Sequence, residues 1–254
     1  MEVYLLIIIF ILGTLFGSFF NVVGYRLPKG LSIVYPGSFC PKCNHKLKWY
    51  ELIPIFSFLI QKGKCRKCKC RISLFYPGIE LLTGVLFVIS YLVFNLTPEF
   101  LIAILVSSFF VIVIVSDFNY LIIPDEITLF FSISIIIVDF IFYNAITCFQ
   151  AVFRGIILFA TMYLIMLLGN KIFKKESLGG GDIKLMFFVG TVLSICNGFF
   201  SIFFSSVLAL PISIFNYVKN KNKVIPFGPF ILLATIVILF SKIDFFKLLS
   251  NITS

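Results

Sequence analysis

Two aspartates in this sequence lie beside long apolar runs, where an ionised side chain is costly to place. Asp117 directly follows the apolar run VIVIVS, and Asp182 follows three glycines in the stretch SLGGGDIK. An ionisable group at a membrane span is a functional candidate because burying its charge is unfavourable. If the two carboxylates meet at one water molecule, one can act as a base and the other, protonated, as an acid. The pattern therefore favours the chemistry of an aspartic protease.

Asp117 is the harder of the two to explain structurally. It ends the third apolar run, where a carboxylate meets the negative end of the helix dipole and loses roughly 0.3–1 kcal/mol. By contrast, Asp125 and Glu126 follow Pro124 and suit the first turn of a helix. Asp117 is therefore the better catalytic candidate among these acids.

The glycines before Asp182 predict an irregular segment at a cleft. Irregular backbone at membrane depth is tolerated only where protein buries it or where it lines a watery cavity. Gly179 and Gly181 permit the close approach of another backbone, and they place Asp182 at a helix N-terminus, where its charge is stabilised. A glycine hinge followed by a helix cap is the structural alternative.

Two CxxC pairs form a second candidate site, Cys40 with Cys43 and Cys65 with Cys68. Two such pairs supply the four thiolates of a tetrahedral, structural Zn²⁺ site. A disulfide clip is the alternative, but it needs an oxidising compartment and conflicts with the cytoplasmic placement inferred below. Cys70 and His45 are possible substitute ligands, but Cys70 falls outside the paired spacing and a histidine in such a loop is typically solvated.

The elements that must position these residues are apolar helices. Of 254 residues, 60% are hydrophobic and 13% are charged, which is too little charge for a water-facing surface. Several apolar runs approach the ~20 residues that a spanning helix needs, so we expect an all-α polytopic protein in a lipid bilayer. The predicted spans are Val3–Val23, Gly78–Phe94, Phe100–Ser116, Thr128–Tyr143, Phe149–Gly169, Lys184–Cys196, Phe199–Val218 and Phe227–Phe240, eight in all.

The basic residues predict the orientation. Threading the spans alternately places four polar segments on one side, and these hold most of the 21 Lys and Arg residues. The segments are Arg26–Arg71, Asp117–Asp125, Lys171–Asp182 and Lys219–Lys223. Positive charge stays cytoplasmic, so that side is expected to be the cytoplasm and the N-terminus to lie outside. The same rule explains the net charge of +10 without nucleic acid.

Taken together, the motifs resemble the bacterial type IV prepilin peptidases, which are bifunctional leader peptidases and N-methyltransferases of the GxGD aspartyl class. Several ordered motifs are more specific than any one of them. In chain order they are GSFFNVVGYRLP (Gly17–Pro28), SFCPKC (Ser38–Cys43), the CRKC pair, RISLFYPGIELLTG (Arg71–Gly84), SDFNYLIIPD (Ser116–Asp125) and GGGDIK (Gly179–Lys184).

The resemblance implies a role for each candidate. The catalytic pair falls on Asp117 and Asp182, and the glycines of GxGD fall on Gly179 and Gly181. The four-cysteine motif falls on Cys40, Cys43, Cys65 and Cys68 as a zinc-ribbon-like insertion after the first helix. Residues 1–95 then form an N-terminal module with helix 1, a cytoplasmic zinc loop (26–77) and helix 2. Residues 96–254 form the membrane-embedded peptidase module.

The implied substrates are type IV prepilins or pseudopilins, precursors in pilus assembly and protein secretion. Cleavage of the leader would occur at the cytoplasmic edge of the bacterial inner membrane. S-adenosylmethionine would then methylate the new N-terminus, although no glycine fingerprint for that cofactor is present. Glu80 is a candidate for the methylation site, with a surface pair to Arg71 as the alternative. A cation transporter or a non-catalytic assembly platform remains the rival interpretation.

Overall fold

The computed structural model of the chain describes residues 2–174, 178–219 and 225–242. In these residues the regular secondary structure is helical, with two isolated β-bridges beside the cysteine pairs. The residues cluster into two compact units, Met1–Leu96 and Thr97–Ser254. The predicted all-α fold, with a cysteine cluster after the first helix, is confirmed.

The first unit is built on two long helices that pack against each other through glycines. Its helices are α1 (Glu2–Arg26), α2 (Phe56–Ile60) and α3 (Phe75–Phe94). A Cβ at Gly13 would lie 2.8 Å from the Cα of Gly84, and a Cβ at Gly17 would lie 2.9 Å from the Cα of Glu80. Small residues at a membrane-helix interface allow this close backbone approach. The α1–α3 pair therefore fixes both ends of the loop that carries the cysteines.

The second unit surrounds a buried central helix. Its helices are α4 (Pro98–Tyr120), α5 (Asp125–Phe142), α6 (Ala145–Phe173), α7 (Gly180–Val192), α8 (Ile195–Lys219) and α9 (Gly228–Ser241). α4 packs against α5 and α9. Phe109 of α4 is fully buried, with ring centroids 5.3 Å from Phe131 of α5 and 4.5 Å from Phe188 of α7. The helix that carries Asp117 is thus held by packing on several sides.

Local sequence determines where α4 ends and α5 begins. Leu121 adopts the left-handed conformation, with φ of 54°, and its N–H donates to the carbonyl of Asp117 at 2.9 Å. Ile123 precedes a proline, a position at which the helical conformation is disfavoured. Asp125 then opens α5 with Pro124 as N-cap, as the Pro-Asp-Glu sequence predicts.

Five helices of the described residues are long and apolar enough to cross a membrane. They cover Val3–Lys29, Phe75–Phe94, Pro98–Tyr120, Ala145–Ile172 and Ile195–Phe215. The protein is therefore of the multi-pass type, but the predicted count of eight spans is not confirmed. α7 and α9, with 13 and 14 residues, are shorter than the ~20 residues of a spanning helix. α5 carries Asp125, Glu126 and Asp139 within its 18 residues.

One predicted span is wrong at its C-terminal end. Lys184–Cys196 was expected to be continuous, but α7 ends at Val192 and Cys196 belongs to α8. Leu193 is extended, and the Ser194 hydroxyl accepts a hydrogen bond from the Asn197 N–H at 3.3 Å. A serine in this position caps a new helix rather than continuing the old one.

Two of the segments predicted to be cytoplasmic are only partly described. Lys171–Asp182 and Lys219–Lys223 both include positions outside the described residues. The orientation of the chain in the membrane therefore remains a prediction from charge.

The approach of α6 to α7 gives a stability prediction. A Cβ at Gly190 would lie 2.6 Å from the Cα of Gly155 and 2.7 Å from the carbonyl oxygen of Arg154. We expect Gly190→Ala to destabilise the protein by about 1–3 kcal/mol because the backbones must separate. Thermal unfolding in detergent measures this, with Gly78→Ala as the control because no atom lies within 4 Å of its Cβ position. Equal melting temperatures for the two variants would contradict the packing.

Candidate active site

Asp117 lies in the last turn of α4 and is only 5% exposed. Its carboxylate receives a hydrogen bond from the backbone N–H of Gly228, the first residue of α9. Carboxylate Oδ2 lies 3.1 Å from the position that a Gly228 Cβ would take. The N-terminus of a helix carries a partial positive charge. The N-terminus of α9 therefore stabilises the negative charge of Asp117, which the C-terminus of α4 destabilises.

Asp182 is the third residue of α7 and is half-buried. Gly179 is the N-cap of α7, and its carbonyl accepts a hydrogen bond from the Asp182 N–H at 3.1 Å. A Cβ at Gly179 would lie 3.2 Å from Oδ2 of Asp182. The Asp182 carboxylate therefore lies at a helix N-terminus, as the glycine run predicts. It also occupies the space beside Gly179 that a larger side chain there would need.

Ile123 connects the surroundings of the two aspartates. Its Cδ1 lies 3.2 Å from the Cβ position of Gly181 and 2.7 Å from that of Gly228. Gly181 directly precedes Asp182, and Gly228 contacts Asp117, so both carboxylates belong to the neighbourhood of one buried side chain. The structure thus places each aspartate next to a glycine that contacts the same buried side chain, although the two aspartates are far apart in the chain.

An exposed ion pair links two segments that adjoin the aspartates in the chain. Lys184 Nζ lies 2.6 Å from Oδ1 and 2.7 Å from Oδ2 of Asp125, and both side chains are exposed. The pair joins the first turns of α5 and α7. An exposed ion pair contributes only about 0–1 kcal/mol to the free energy of unfolding. Its main effect is therefore to hold α5 and α7 in position relative to each other.

Sequence reasoning missed Ile123, Gly228 and Lys184 as parts of this site. The Gly-Pro dipeptide at the start of α9 was a usable signal, because proline favours the first helical turn and glycine there leaves the N–H groups open to a ligand. No local pattern indicates that this helix end meets Asp117.

The predicted cysteine centre assembles in the first unit. The Sγ atoms of Cys40, Cys43, Cys65 and Cys68 all lie within 4.8 Å of one another. Cys40 to Cys68 and Cys43 to Cys65 are each 3.9 Å apart. With Zn–S bonds of about 2.3 Å, tetrahedral coordination places sulfurs roughly 3.8 Å apart. The residues therefore fit a tetrahedral metal ion.

Backbone groups favour the thiolate form in this centre. The backbone N–H groups of Lys42 and Cys43 point to the Cys40 sulfur and lower the pKa of its thiol to about 6. The backbone N–H of Cys70 likewise lowers the pKa of Cys68. The Cys68 thiol raises the pKa of Cys70 to about 12. Sulfurs this close cannot all ionise without a cation, which a bound metal supplies.

Two buried carboxylates organise the cysteine loop. The Glu51 side chain is 1% exposed and accepts hydrogen bonds from the Lys48 N–H at 2.9 Å and from His45 Nε2 at 3.3 Å. Glu80 Oε2 accepts from the Ile55 N–H at 2.8 Å. Ile55 has a φ of 60°, which is unfavourable for a β-branched residue, so Glu80 holds a strained turn. The described partners of Glu80 are thus the Ile55 N–H and the Ser18 side chain rather than Arg71.

Comparisons with known proteins show the family to which the chain belongs. The family model described as "Bacterial Peptidase A24 N-terminal domain" matches residues 11–94, and "Type IV leader peptidase family" matches residues 104–214. A prepilin leader peptidase/N-methyltransferase of Bacillus subtilis is 34% identical over 236 residues, covering 92% of this chain and 93% of the relative. The chain belongs to the prepilin leader peptidase/N-methyltransferase family.

Two further members of the family align over most of this chain. That of Vibrio cholerae is 30% identical over 256 residues, covering 95% of this chain and 98% of the relative. That of Neisseria gonorrhoeae is 29% identical over 246 residues, covering 86% of this chain and 84% of the relative. No solved structure matches the chain. Both aspartates lie within the segment that matches the leader peptidase family, whereas Gly228 lies beyond it.

The Glu51 contacts give a pH prediction. The Lys48 N–H lowers the pKa of Glu51 below its ordinary value of 4.5, so its stabilising charge is present above that pH and is lost as the pH falls through the folded-state value. Glu51→Gln weakens a charge-assisted hydrogen bond by roughly 1 kcal/mol, and we expect hydrogen exchange at Lys48 to rise about fivefold. The prediction concerns the ratio of the Lys48 hydrogen-exchange rate in Glu51→Gln to that in the unmutated protein. The intrinsic pH dependence of exchange cancels in this ratio.

That ratio should persist from pH 7 to pH 5. Glu126→Gln serves as the control because this carboxylate is exposed and distant in the chain from the loop. A ratio that has already fallen to one at pH 6 would mean that Glu51 is not held in its ionised form.

Proposed function

We propose that this chain is a membrane aspartic endopeptidase that removes the leader from type IV prepilins or pseudopilins and then N-methylates the new N-terminus. The observation that carries the proposal is that Ile123 lies against both Gly181, which directly precedes Asp182, and Gly228, which contacts Asp117. The names of the relatives, prepilin leader peptidase/N-methyltransferase, supply the substrate class and the second activity.

The two carboxylates would act on one water molecule. One takes a proton from the water as its oxygen attacks the scissile carbonyl carbon, and the other donates a proton to the carbonyl oxygen. The resulting diol collapses as the peptide nitrogen leaves with a proton. Neighbouring like charges disfavour double ionisation, so the pair is expected to hold one proton between them. The Gly228 N–H helps to hold negative charge on Asp117.

The more open side of the site suggests where the substrate lies. Gly179 and Gly180 are exposed and Asp182 is half-buried, whereas Asp117 is buried. An extended backbone can approach glycines closely. We therefore expect the leader and the glycine before the cut to enter along Gly179–Gly181, with the apolar pilin segment in the bilayer.

Methylation is the second proposed activity. S-adenosylmethionine would supply the methyl group when bound, and its presence is inferred from the names of the relatives. Glu80 stays a candidate at that site, because it joins the cysteine loop to α3. The hydrogen bond from the Ile55 N–H to Glu80 supports a role for Glu80 in positioning the loop at that site.

The cysteine centre is proposed to hold Zn²⁺ as a structural ion through Cys40, Cys43, Cys65 and Cys68. Four thiolates at tetrahedral spacing favour zinc and form a closed site. Metal binding would supply folding energy to the loop, whose regular structure is limited to short helical segments and two isolated β-bridges. Residues 1–95 are then the N-terminal module and residues 96–254 the peptidase module.

The proposed location is the bacterial inner membrane, with the N-terminus outside and the active site at the cytoplasmic edge. The positive-inside distribution of Lys and Arg supports this orientation. The two rival functions are a cation transporter and an assembly platform. Neither of them requires the contact between Asp117 and the start of α9. They predict no cleavage.

Removing either carboxylate should abolish cleavage. We expect Asp117→Asn and Asp182→Asn each to lower the cleavage rate of a synthetic prepilin segment by at least about 10²-fold, because neither can exchange the required proton. Mass spectrometry measures cleavage and methyl gain separately. A pre-cleaved segment should still gain a methyl group in both variants if the protein remains folded. Cleavage at the unmutated rate by either variant would refute the proposed chemistry.

A side chain at Gly228 should disturb catalysis. Its Cβ would meet Ile123 Cδ1 at 2.7 Å and Asp117 Oδ2 at 3.1 Å, so Gly228→Ala must displace one of them. A displacement of about 1 Å can cost roughly 10²-fold in rate. Gly78→Ala is the control because no atom lies within 4 Å of its Cβ position and it is not part of the proposed substrate path. Similar rates for the two variants would show that Gly228 does not shape the site.

A further inference from the structure

The two cysteine pairs belong to a repeated backbone unit that is longer than CxxC. It covers Phe39–Lys46 and Lys64–Arg71, and each copy is closed by a β-bridge between its first and last residues. In each copy the N–H of the first cysteine donates at 2.9 Å to the carbonyl five positions later. Those carbonyls belong to His45 and Cys70. Cys70 is therefore the structural equivalent of His45, one position beyond the turn.

The turn before this position is also the same in both copies. Asn44 has a φ of 52° and donates its N–H to the Cys40 carbonyl at 2.9 Å. Lys69 has a φ of 58° and donates its N–H to the Cys65 carbonyl at 2.9 Å. The side chains that follow thus leave the backbone from matching positions.

The two equivalent side chains have different partners. His45 Nε2 is held by Glu51 at 3.3 Å, in the cluster that also includes Arg66. Cys70 instead faces the metal centre, because its Sγ lies 3.6 Å from Sγ of Cys40. It also contacts the thiol of Cys68. The second copy therefore brings a third thiol to the centre, and the first copy does not.

The spacing of this fifth sulfur matches that of a ligand. Sulfurs of a tetrahedral zinc site are roughly 3.8 Å apart. Cys70 lies 3.6 Å from Cys40, and Cys68 lies 3.9 Å from the same atom. Cys68 is exposed, whereas Cys70 is half-buried. Exchanging one for the other keeps the ligand type and charge.

We propose that Cys70 is an alternate ligand of this centre and replaces Cys68 as the fourth thiolate when Cys68 is lost or modified. The inference rests on the zinc site of the proposed function. It predicts an asymmetry between the two knuckles: the exposed ligand of the second copy is replaceable, whereas Cys43 of the first copy is not, because His45 is engaged by Glu51.

Metal content of the full-length protein in detergent tests the asymmetry. We expect Cys68→Ser and Cys70→Ser each to retain about one zinc per chain, and Cys43→Ser and the double variant Cys68→Ser/Cys70→Ser to lose it. Zinc in Cys43→Ser equal to that in Cys68→Ser would overturn the asymmetry. Loss of zinc from Cys68→Ser alone would overturn the exchange. Absence of zinc from the unmutated protein would instead defeat the zinc assignment itself.

Alkylation identifies the ligand directly and does not depend on enzyme activity. In Cys68→Ser, zinc should protect Cys70 from iodoacetamide, as mapped by peptide mass, and removal of zinc should expose it. Equal labelling of Cys70 with and without zinc would contradict its ligation.

A second challenge uses a variant that keeps all four primary ligands. Iodoacetamide is expected to modify the exposed Cys68 without release of zinc from the unmutated protein. In Cys70→Ser the same modification should release zinc, because no replacement thiol remains. Equal zinc release from the two proteins at equal Cys68 labelling would overturn the proposal even if Cys68→Ser failed to fold.

Discussion

The hydrogen bond from the first N–H of α9 to the carboxylate of Asp117 is the contact on which the candidate active site depends. Asp117 is buried at the C-terminal end of its own helix, where the helix dipole opposes a negative charge. The N-terminus of α9 offsets this and fixes one carboxylate. It can do so only because Gly228 lacks a side chain, since a Cβ there would meet Asp117 and Ile123. A missing side chain therefore sets the geometry of the site.

The same principle extends to Asp182. Gly179 leaves room beside the Asp182 carboxylate, and Gly181 leaves room for Ile123, which also lies against Gly228 beside Asp117. The apolar surroundings, which include Ile123, make ionisation of both carboxylates unfavourable. The N-termini of α7 and α9 stabilise a single negative charge. That combination is what proton exchange between an acid and a base requires. The exposed glycines of the loop leave one side open for an extended peptide.

Sequence patterns predicted the helices of this fold better than the tertiary contacts between them. Apolar runs indicated the helices, the glycine run placed Asp182 at a helix N-terminus, and the paired spacing identified four clustered cysteines. The count of eight spans is not confirmed, since α7 and α9 are shorter than a spanning helix needs. The predicted span Lys184–Cys196 is wrong at its end because Ser194 starts a new helix inside it. The contact of Gly228 with Asp117 was hidden because it joins distant helices. Cys70 was set aside because the repeated unit is a backbone feature that CxxC spacing does not show.

Thiol cross-linking tests the central claim, that two distant aspartates share one site. Asp117→Cys and Asp182→Cys would be combined with Cys148→Ser and Cys196→Ser, and a short bifunctional thiol reagent applied to the folded protein in detergent. The control pair is Asp117→Cys with Asp139→Cys, since Asp139 lies about 20 Å along α5 from its start. The account predicts a joined peptide, identified by mass, for the first pair and none for the control. Absence of the first cross-link under conditions that label both thiols would contradict the account.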